Sequence, residues 1–142
     1  MKTESKHLRR LFVLLPILLS SCSFQETALH RIERISGLNL PEGMSEVFSF
    51  EDETFTGVAG QYTVFSLPEE VDFFANTKNE PHNLSEDEKA NILYNLENYY
   101  TEVPSSYLPD FSHEFLCARG MENTYVFYFP ADLEIKVFMM GH

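Results

Sequence analysis

The run Thr124-Tyr125-Val126-Phe127-Tyr128-Phe129 has the composition of a β-strand, because all six residues are aromatic or β-branched. Side chains alternate between the two faces of a sheet, so Tyr125, Phe127 and Phe129 are predicted to point one way and the other three the opposite way. Turn-forming residues flank the run at 120–123 and 130–132, and residues 114–119 and 133–140 beyond them also have strand composition. The end of the chain is therefore predicted to form a three-stranded β-meander.

Two earlier segments, residues 46–51 and 61–67, also have strand composition. An acidic loop that contains glycine separates them, so they are predicted to pair antiparallel. The main helix is predicted to begin at Ser85-Glu86-Asp87-Glu88, which is a capping-box pattern, and to present an apolar stripe at 3.6-residue spacing. The residues predicted on this side are Lys89 and the apolar or aromatic Ile92, Leu93, Leu96, Tyr99 and Tyr100.

Two short helices complete the prediction. The first ends at Gly37, because Ala28, Leu29, Ile32 and Ile35 lie on one arc of a helix and glycine favours a helix end. The second is predicted to start at Pro68-Glu69-Glu70, and a polar loop follows it over residues 76–83. The sequence thus predicts an α+β fold, an antiparallel sheet of about five strands with one main helix packed on it, after a short N-terminal helix.

The first residues have the pattern of an export signal. Lys2, Lys6, Arg9 and Arg10 form a basic region, residues 11–19 form an apolar core, and Ser20-Ser21 supplies small residues for cleavage. The apolar core is too short to span a bilayer as a helix, and Pro16 interrupts it. We therefore expect export without a permanent transmembrane anchor.

The order Leu19-Ser20-Ser21-Cys22 resembles the lipobox of bacterial lipoproteins. In that family the thiol of the cysteine takes a diacylglyceryl group and cleavage falls just before it. The resemblance implies a signal peptide over residues 1–21, cleavage between Ser21 and Cys22, a lipidated tether over 22–27 and a single α+β domain over 28–142. It implies a location at the cell membrane or envelope, on the extracytoplasmic face, with lipid on Cys22 as the membrane contact.

Two alternatives remain at this stage. Cys22 could follow an ordinary secretory signal by chance. In a cell with two membranes, Ser23 after the lipidated cysteine resembles lipoproteins that are sorted to the outer membrane. The order of elements, with Ile35-Ser36-Gly37-Leu38-Asn39-Leu40-Pro41-Glu42-Gly43 before the first strand and Tyr62-Thr63-Val64-Phe65 after the acidic loop, instead resembles small uncharacterised proteins of Gram-positive bacteria, which have one membrane. That resemblance implies no activity.

The chain is strongly acidic, with a formal net charge of −12. Removal of residues 1–21 would leave 6 basic and 21 acidic side chains, a charge of −15. Such a charge argues against binding to nucleic acid and to anionic lipid. Twelve phenylalanines and seven tyrosines would remain to build one core. With Cys22 committed to lipid, Cys117 has no partner, so the domain is expected to fold without a disulfide.

The candidate site residues have plain structural interpretations. Glu51-Asp52-Glu53 forms a speculative binding loop, but its spacing does not follow an EF-hand. Cys117 is expected to pack in the core beside Phe115, and His113 is predicted on the same strand. The other groups considered are histidines without zinc-site spacing and tyrosines expected at the core or its edge, namely His30, His82, Tyr94, Tyr99, Tyr100 and Tyr107. We predict no catalytic residues, no metal and no cofactor.

The function favoured by the sequence is a binding or interaction module, tethered by lipid, that holds a partner with its sheet surface or acidic loop. A sharper version is an inhibitor or immunity-type protein for a basic partner. A different class is a small hydrolase-like enzyme that uses Glu51, Asp52 or Cys117. A third possibility is a structural or stress-related envelope lipoprotein.

Overall fold

The computed structural model describes residues 26–52 and 60–140, and the predicted α+β fold is confirmed within them. The signal peptide, Ser21, Cys22 and Glu53 lie outside the described residues. The described ranges contain three helices and five strands, in the order α1 Ala28–Ser36, β1 Ser45–Asp52, β2 Gly60–Ser66, α2 Phe73–Thr77, α3 Glu86–Asn98, β3 Leu116–Arg119, β4 Thr124–Phe129 and β5 Glu134–Met139. Short 3-10 turns cover Ser105–Tyr107 and Pro130–Asp132. No helix in the described ranges has the length and apolar character needed to cross a membrane.

The strands form one antiparallel sheet in the order β1-β2-β5-β4-β3. The last three strands are the predicted meander, and β1 and β2 are the predicted antiparallel pair. The pair joins the meander through β2, which lies beside β5 with Thr63 opposite Val137. This pairing places β1 and β3 at the two edges of the sheet.

Helix α1 covers one face of the sheet. Thr27 caps its start by accepting the backbone N–H of His30, and Gly37 ends it in the left-handed conformation with φ 69°. Both oxygens of Glu26 accept hydrogen bonds from Arg34, which ties the residue before the cap to the helix. The buried side chains on this face are mostly aliphatic, among them Ile32, Leu38, Leu40, Val126, Ile135 and Val137.

Helix α3 covers the opposite face. It begins with the predicted capping box between Ser85 and Glu88, and it buries Ile92 and Leu96 against the sheet. The core on this side is aromatic, with Tyr62, Tyr100, Tyr125, Phe127, Phe129 and Phe138 all buried. The alternation predicted for residues 124–129 is confirmed, since Tyr125, Phe127 and Phe129 face α3 and Val126 and Tyr128 face α1.

Three details of the prediction were wrong. Helix α2 starts at Phe73 after Asp72, whose side chain caps it, and not at Pro68. Strand β3 starts at Leu116, so His113 lies in the preceding turn and not on the strand. Tyr94 and Tyr99 are 57% and 60% exposed and do not reach the core. Helix α3 ends at Asn98, so the 3.6-residue spacing no longer applies beyond it and Tyr100, not Tyr99, turns inward.

Candidate functional site

The two edge strands of the sheet differ in how much of their backbone is covered. At β3, the backbone N–H of His82 donates to the carbonyl oxygen of Cys117 at 2.9 Å, so the segment before α3 lies along that edge. Strand β1 pairs with β2 on one side. On its other side, none of its backbone groups bonds to the backbone of another described residue. With respect to residues 26–52 and 60–140, strand β1 therefore has an open row of peptide groups on its outer edge, which is the template for adding a strand.

Strand β1 is also the acidic edge of the sheet. It carries Glu46, Glu51 and Asp52, and the register with β2 shifts at Val47, where a bulge leaves this side chain 44% exposed. Within the described ranges, neither Glu46 nor Asp52 forms an ion pair with a basic side chain. A bulge twists an edge strand and so limits unwanted pairing with other strands. The carboxylates at both ends of β1 favour a partner that carries positive charge.

The inner face of β1 holds the strand in place. Phe48 stacks on Tyr107 with ring centroids 5.1 Å apart, and Phe50 packs on Tyr100 at 5.4 Å. On the other face, the hydroxyl of Ser49 lies 3.0 Å from that of Thr63. Because Phe48 and Phe50 fix β1 through its inner face and Ser49 contacts β2, its outer edge is preorganised before any partner arrives.

The predicted binding loop divides into two parts in the structure. Glu51 accepts a hydrogen bond from Arg31 of α1, and this bond raises the pKa of the Arg31 guanidinium above its ordinary value. Asp52 is the last residue of β1 and lies opposite Gly60. Glu51 is thus engaged with α1, whereas Asp52 forms no ion pair with another described residue, and Glu53 lies outside the described residues.

Glu88 forms a polar cluster that sequence reasoning missed. One carboxylate oxygen lies 3.0 Å from Nε2 of His82, accepts the hydroxyl of Tyr125 at 3.3 Å and lies 3.8 Å from Arg119. The other accepts the backbone N–H of Ser85 at 2.8 Å. The Ser85 hydrogen bond is the largest influence that lowers the pKa of Glu88 to about 2. The capping-box pattern predicts only the contact with Ser85. His82, Tyr125 and Arg119 contact Glu88 because the fold brings other segments of the chain next to α3.

Cys117 packs in the core as predicted. It is buried, it carries a free thiol, and it lies opposite Phe127 on the face that α3 covers. Burial raises the pKa of the thiol to about 12, with a further contribution from the charge of Glu88. The sulfur is therefore protonated at neutral pH, which is the unreactive form of a cysteine.

The histidines and tyrosines are dispersed. His30 lies on α1, His82 precedes α3, and no group of three or more metal-binding side chains occurs in the part of the chain that the structure describes. Tyr100 is buried and donates its hydroxyl to the carbonyl oxygen of Met139 at 2.8 Å. Tyr107 is half-buried against Phe48. Tyr100 and Tyr107 thus support the core, whereas His30 is exposed and His82 belongs to the Glu88 cluster.

Comparison with models of protein families, with curated proteins and with solved structures finds no match for this chain. The geometry of the described residues is therefore the guide to function. Among them, the open acidic edge of β1 is the surface whose backbone geometry and charge both specify a kind of partner.

Proposed function

We propose that this protein is an interaction module that binds an extended, basic segment of a partner protein along strand β1. In this proposal the module is held outside the membrane by lipid on Cys22. The observation that carries it is the open outer edge of β1, with Glu46 near one end and Asp52 at the other. A strand added there would gain backbone hydrogen bonds from β1 and ion pairs from both ends.

The charge on β1 favours a foreign basic strand over a second copy of this chain. If two copies paired antiparallel about the centre of β1, Glu46 of one would face Glu51 of the other. Like charges directly opposite each other destabilise a pair of strands, whereas opposite charges stabilise it. The eight residues of β1 would match a partner segment about 27 Å long.

The alternative functions place demands on particular residues. A hydrolase-like enzyme would need a free base or nucleophile at Glu51, Asp52 or Cys117. Glu51 is paired with Arg31 and the Cys117 thiol is buried, so Asp52 is the one of the three that this alternative would use. An inhibitor or immunity-type role is compatible with the same edge, because a basic enzyme could supply the extended segment. It would differ only in that binding abolishes the activity of the partner.

The partner site can be tested by photo-crosslinking in native membranes. A photoreactive amino acid at position 47 is compared with one at position 94, because Val47 and Tyr94 are similarly exposed but lie on β1 and α3. We expect a protein adduct from position 47 that becomes weaker when salt is raised. Equal adducts from both positions, or none from position 47, would reject the proposal.

Charge reversal provides the matched variants. We expect the pair Glu46→Lys and Asp52→Lys to abolish the adduct from position 47. Glu97→Lys combined with Glu102→Lys makes the same change in net charge at two exposed positions, on α3 and just after it, and should leave the adduct intact. Loss of the adduct in both proteins would mean that overall charge, and not the β1 edge, holds the partner. If the captured protein is an enzyme and loses activity on binding, the inhibitor version is the function.

The lipid anchor is tested separately. Protein extracted from native membranes is expected to have an intact mass that corresponds to a chain starting at Cys22 with added acyl groups. Cys22→Ala should release the protein into the soluble fraction. An unmodified chain would contradict the anchor and would make a disulfide between Cys22 and Cys117 worth examining.

A further inference from the structure

A groove of about 560 Å³ lies between α1, the segment after it and α2. Its size is within the range of small-molecule sites, which is roughly 300–1,000 Å³. Leu29, Leu40 and Val71 supply apolar surface, while Glu33, Glu42 and Lys78 supply charged groups. The groove does not involve β1, so it is independent of the partner site proposed above.

Lys78 is distinctive among the basic side chains of the described residues. The other five, Arg31, Arg34, Lys89, Arg119 and Lys136, each pair with a carboxylate. Lys78 has no carboxylate or hydrogen-bonding partner for its ammonium group within the described ranges. Among the described residues of this acidic chain, the one Lys or Arg side chain without a carboxylate partner lines this groove.

The backbone of Lys78 is also unusual. The residue caps the end of α2 in the left-handed conformation, with φ 54° and its N–H donating to the carbonyl oxygen of Phe74. Glycine is the residue that favours this conformation, because a Cβ atom is crowded there. A lysine at this position is therefore not explained by the backbone.

Carboxylates from α1 and the following segment supply the opposite charge. One oxygen of Glu33 accepts the backbone N–H of Leu40 at 3.0 Å, which fixes the carboxylate on the α1 side of the groove. Glu42 is exposed and forms no ion pair within the described ranges. The groove thus combines an ammonium group from α2, carboxylates from the α1 side and apolar surface.

We propose that this groove binds a small zwitterion with an apolar side chain, either a free amino acid or a dipeptide. Lys78 would pair with the carboxylate of the ligand, and Glu42 with Glu33 would bind its ammonium group. Leu29, Leu40 and Val71 would contact the apolar side chain. Both charged groups of a zwitterion would thus have a partner of opposite charge in the groove. A ligand with only a carboxylate or only an ammonium group would leave one side of the groove without a partner.

The test is calorimetric titration of the full chain with leucine and with leucyl-leucine, which separates a free amino acid from a dipeptide. We expect one of them to bind, and we expect N-acetylleucine and leucinamide, each lacking one charge, to bind about 10- to 100-fold more weakly. No heat of binding from either zwitterion at about 10 mM, or equal binding of the blocked analogues, would overturn the proposal.

Variants at Lys78 separate binding from folding. Lys78→Gly removes the ammonium group at a position that suits glycine, so the fold should be retained while affinity falls about 10-fold or more. Lys78→Arg should keep most of the affinity. Lys89→Met makes the same change in charge on α3 and should leave affinity unchanged. If Lys78→Gly binds as tightly as the unmodified protein, the assignment is wrong. The β1 charge reversals should not alter zwitterion binding, so the two proposals can fail separately.

Discussion

The two faces of the sheet are packed with different chemistry. The face under α3 is built from contacting rings, with Phe127 near Phe111, Phe115 and Tyr125. The face under α1 is mostly aliphatic, and it buries several polar side chains, namely Ser36, Gln61, Thr63, Thr77 and Thr124. Large rings contribute most of the buried area and make specific edge contacts, so the α3 face is expected to hold the larger share of the stability.

The aromatic face can even accommodate a buried cation. Lys136 is 5% exposed, and its ammonium group donates to the carbonyl oxygen of Leu108 at 3.0 Å. The same group lies 3.4 Å from a carboxylate oxygen of Glu134 and 5.1 Å from the ring centre of Phe129. A carbonyl, a carboxylate and a ring together compensate for the loss of water around the charge. On the α1 face, by contrast, the hydroxyls of Thr77 and Thr124 have no hydrogen-bonding partner among the described residues.

The largest expected effect is on the aromatic face. Phe127→Ala should lower the free energy of unfolding by about 3–5 kcal/mol, because it removes a fully buried ring that contacts three others. Val126→Ala changes the neighbouring residue, which faces α1, and should cost about 2 kcal/mol. Urea denaturation of both variants measures the difference. Equal losses would show that the two faces contribute alike.

The attachment of α1 to the sheet depends on a close approach at Gly120. A Cβ atom there would lie 2.7 Å from the carbonyl oxygen of Ser36, the same oxygen that accepts the N–H of Met121 at 2.8 Å. Gly120→Ala should therefore cost about 1–3 kcal/mol and increase hydrogen exchange in α1 more than in α3. Met121→Gln, an exposed change in the same turn, serves as the control. Uniform exchange across both helices would argue against local loosening.

The Glu88 cluster links α3 to β3 and β4, and it makes the stability of the protein depend on pH. The pKa of Glu88 is lowered from 4.5 to about 2, so its contribution is complete above pH 4.5 and is lost as the pH falls towards 2. The carboxylate is partly exposed, so we expect a contribution of about 1–2 kcal/mol. The midpoint of thermal unfolding should vary less with pH between 2 and 6 in Glu88→Gln than in the unmodified protein. Glu86→Gln, two residues before Glu88 with a side chain that is 88% exposed, should keep the pH dependence of the unmodified protein.

The smallest effect is expected from the buried hydroxyls of the α1 face. Thr124→Val removes a hydroxyl that has no partner among the described residues and should stabilise the protein by up to about 1 kcal/mol. Thr63→Val removes a hydroxyl that contacts both Ser49 and Gln61 and should cost about 1 kcal/mol. Opposite signs in thermal melts would support this distinction. A loss of stability from Thr124→Val would indicate that its hydroxyl has a partner after all.

The features that local sequence specifies were predicted well. The capping box at Ser85 and the alternation over residues 124–129 depend on near neighbours, and both are confirmed. The burial of Lys136 was not predicted, because it depends on Leu108, which is 28 residues away. The exposure of Tyr99 depends on where α3 ends. These outcomes are decided by contacts between distant segments, which periodicity does not contain.

The candidate site likewise combines features that local sequence shows with features that depend on contacts between distant segments. The acidic character of residues 46–52 could be read from the sequence. That β1 lies at the edge of the sheet could not, because it depends on β2 pairing with β5. The Glu88 cluster and the groove at Lys78 likewise combine residues from separate elements.

The hydrogen bonds from Arg34 to Glu26 hold the start of the described chain against α1. Under the proposed lipid anchor, they would limit the distance between the folded domain and a bilayer. Glu26 follows Cys22 by four residues, and four residues span at most about 14 Å. With lipid on Cys22, as we propose, the domain would be confined to a thin layer beside the headgroups and would search for partners in two dimensions. Confinement of this kind raises the effective concentration of a partner in the same membrane. A modest affinity at the β1 edge would then be enough for occupancy.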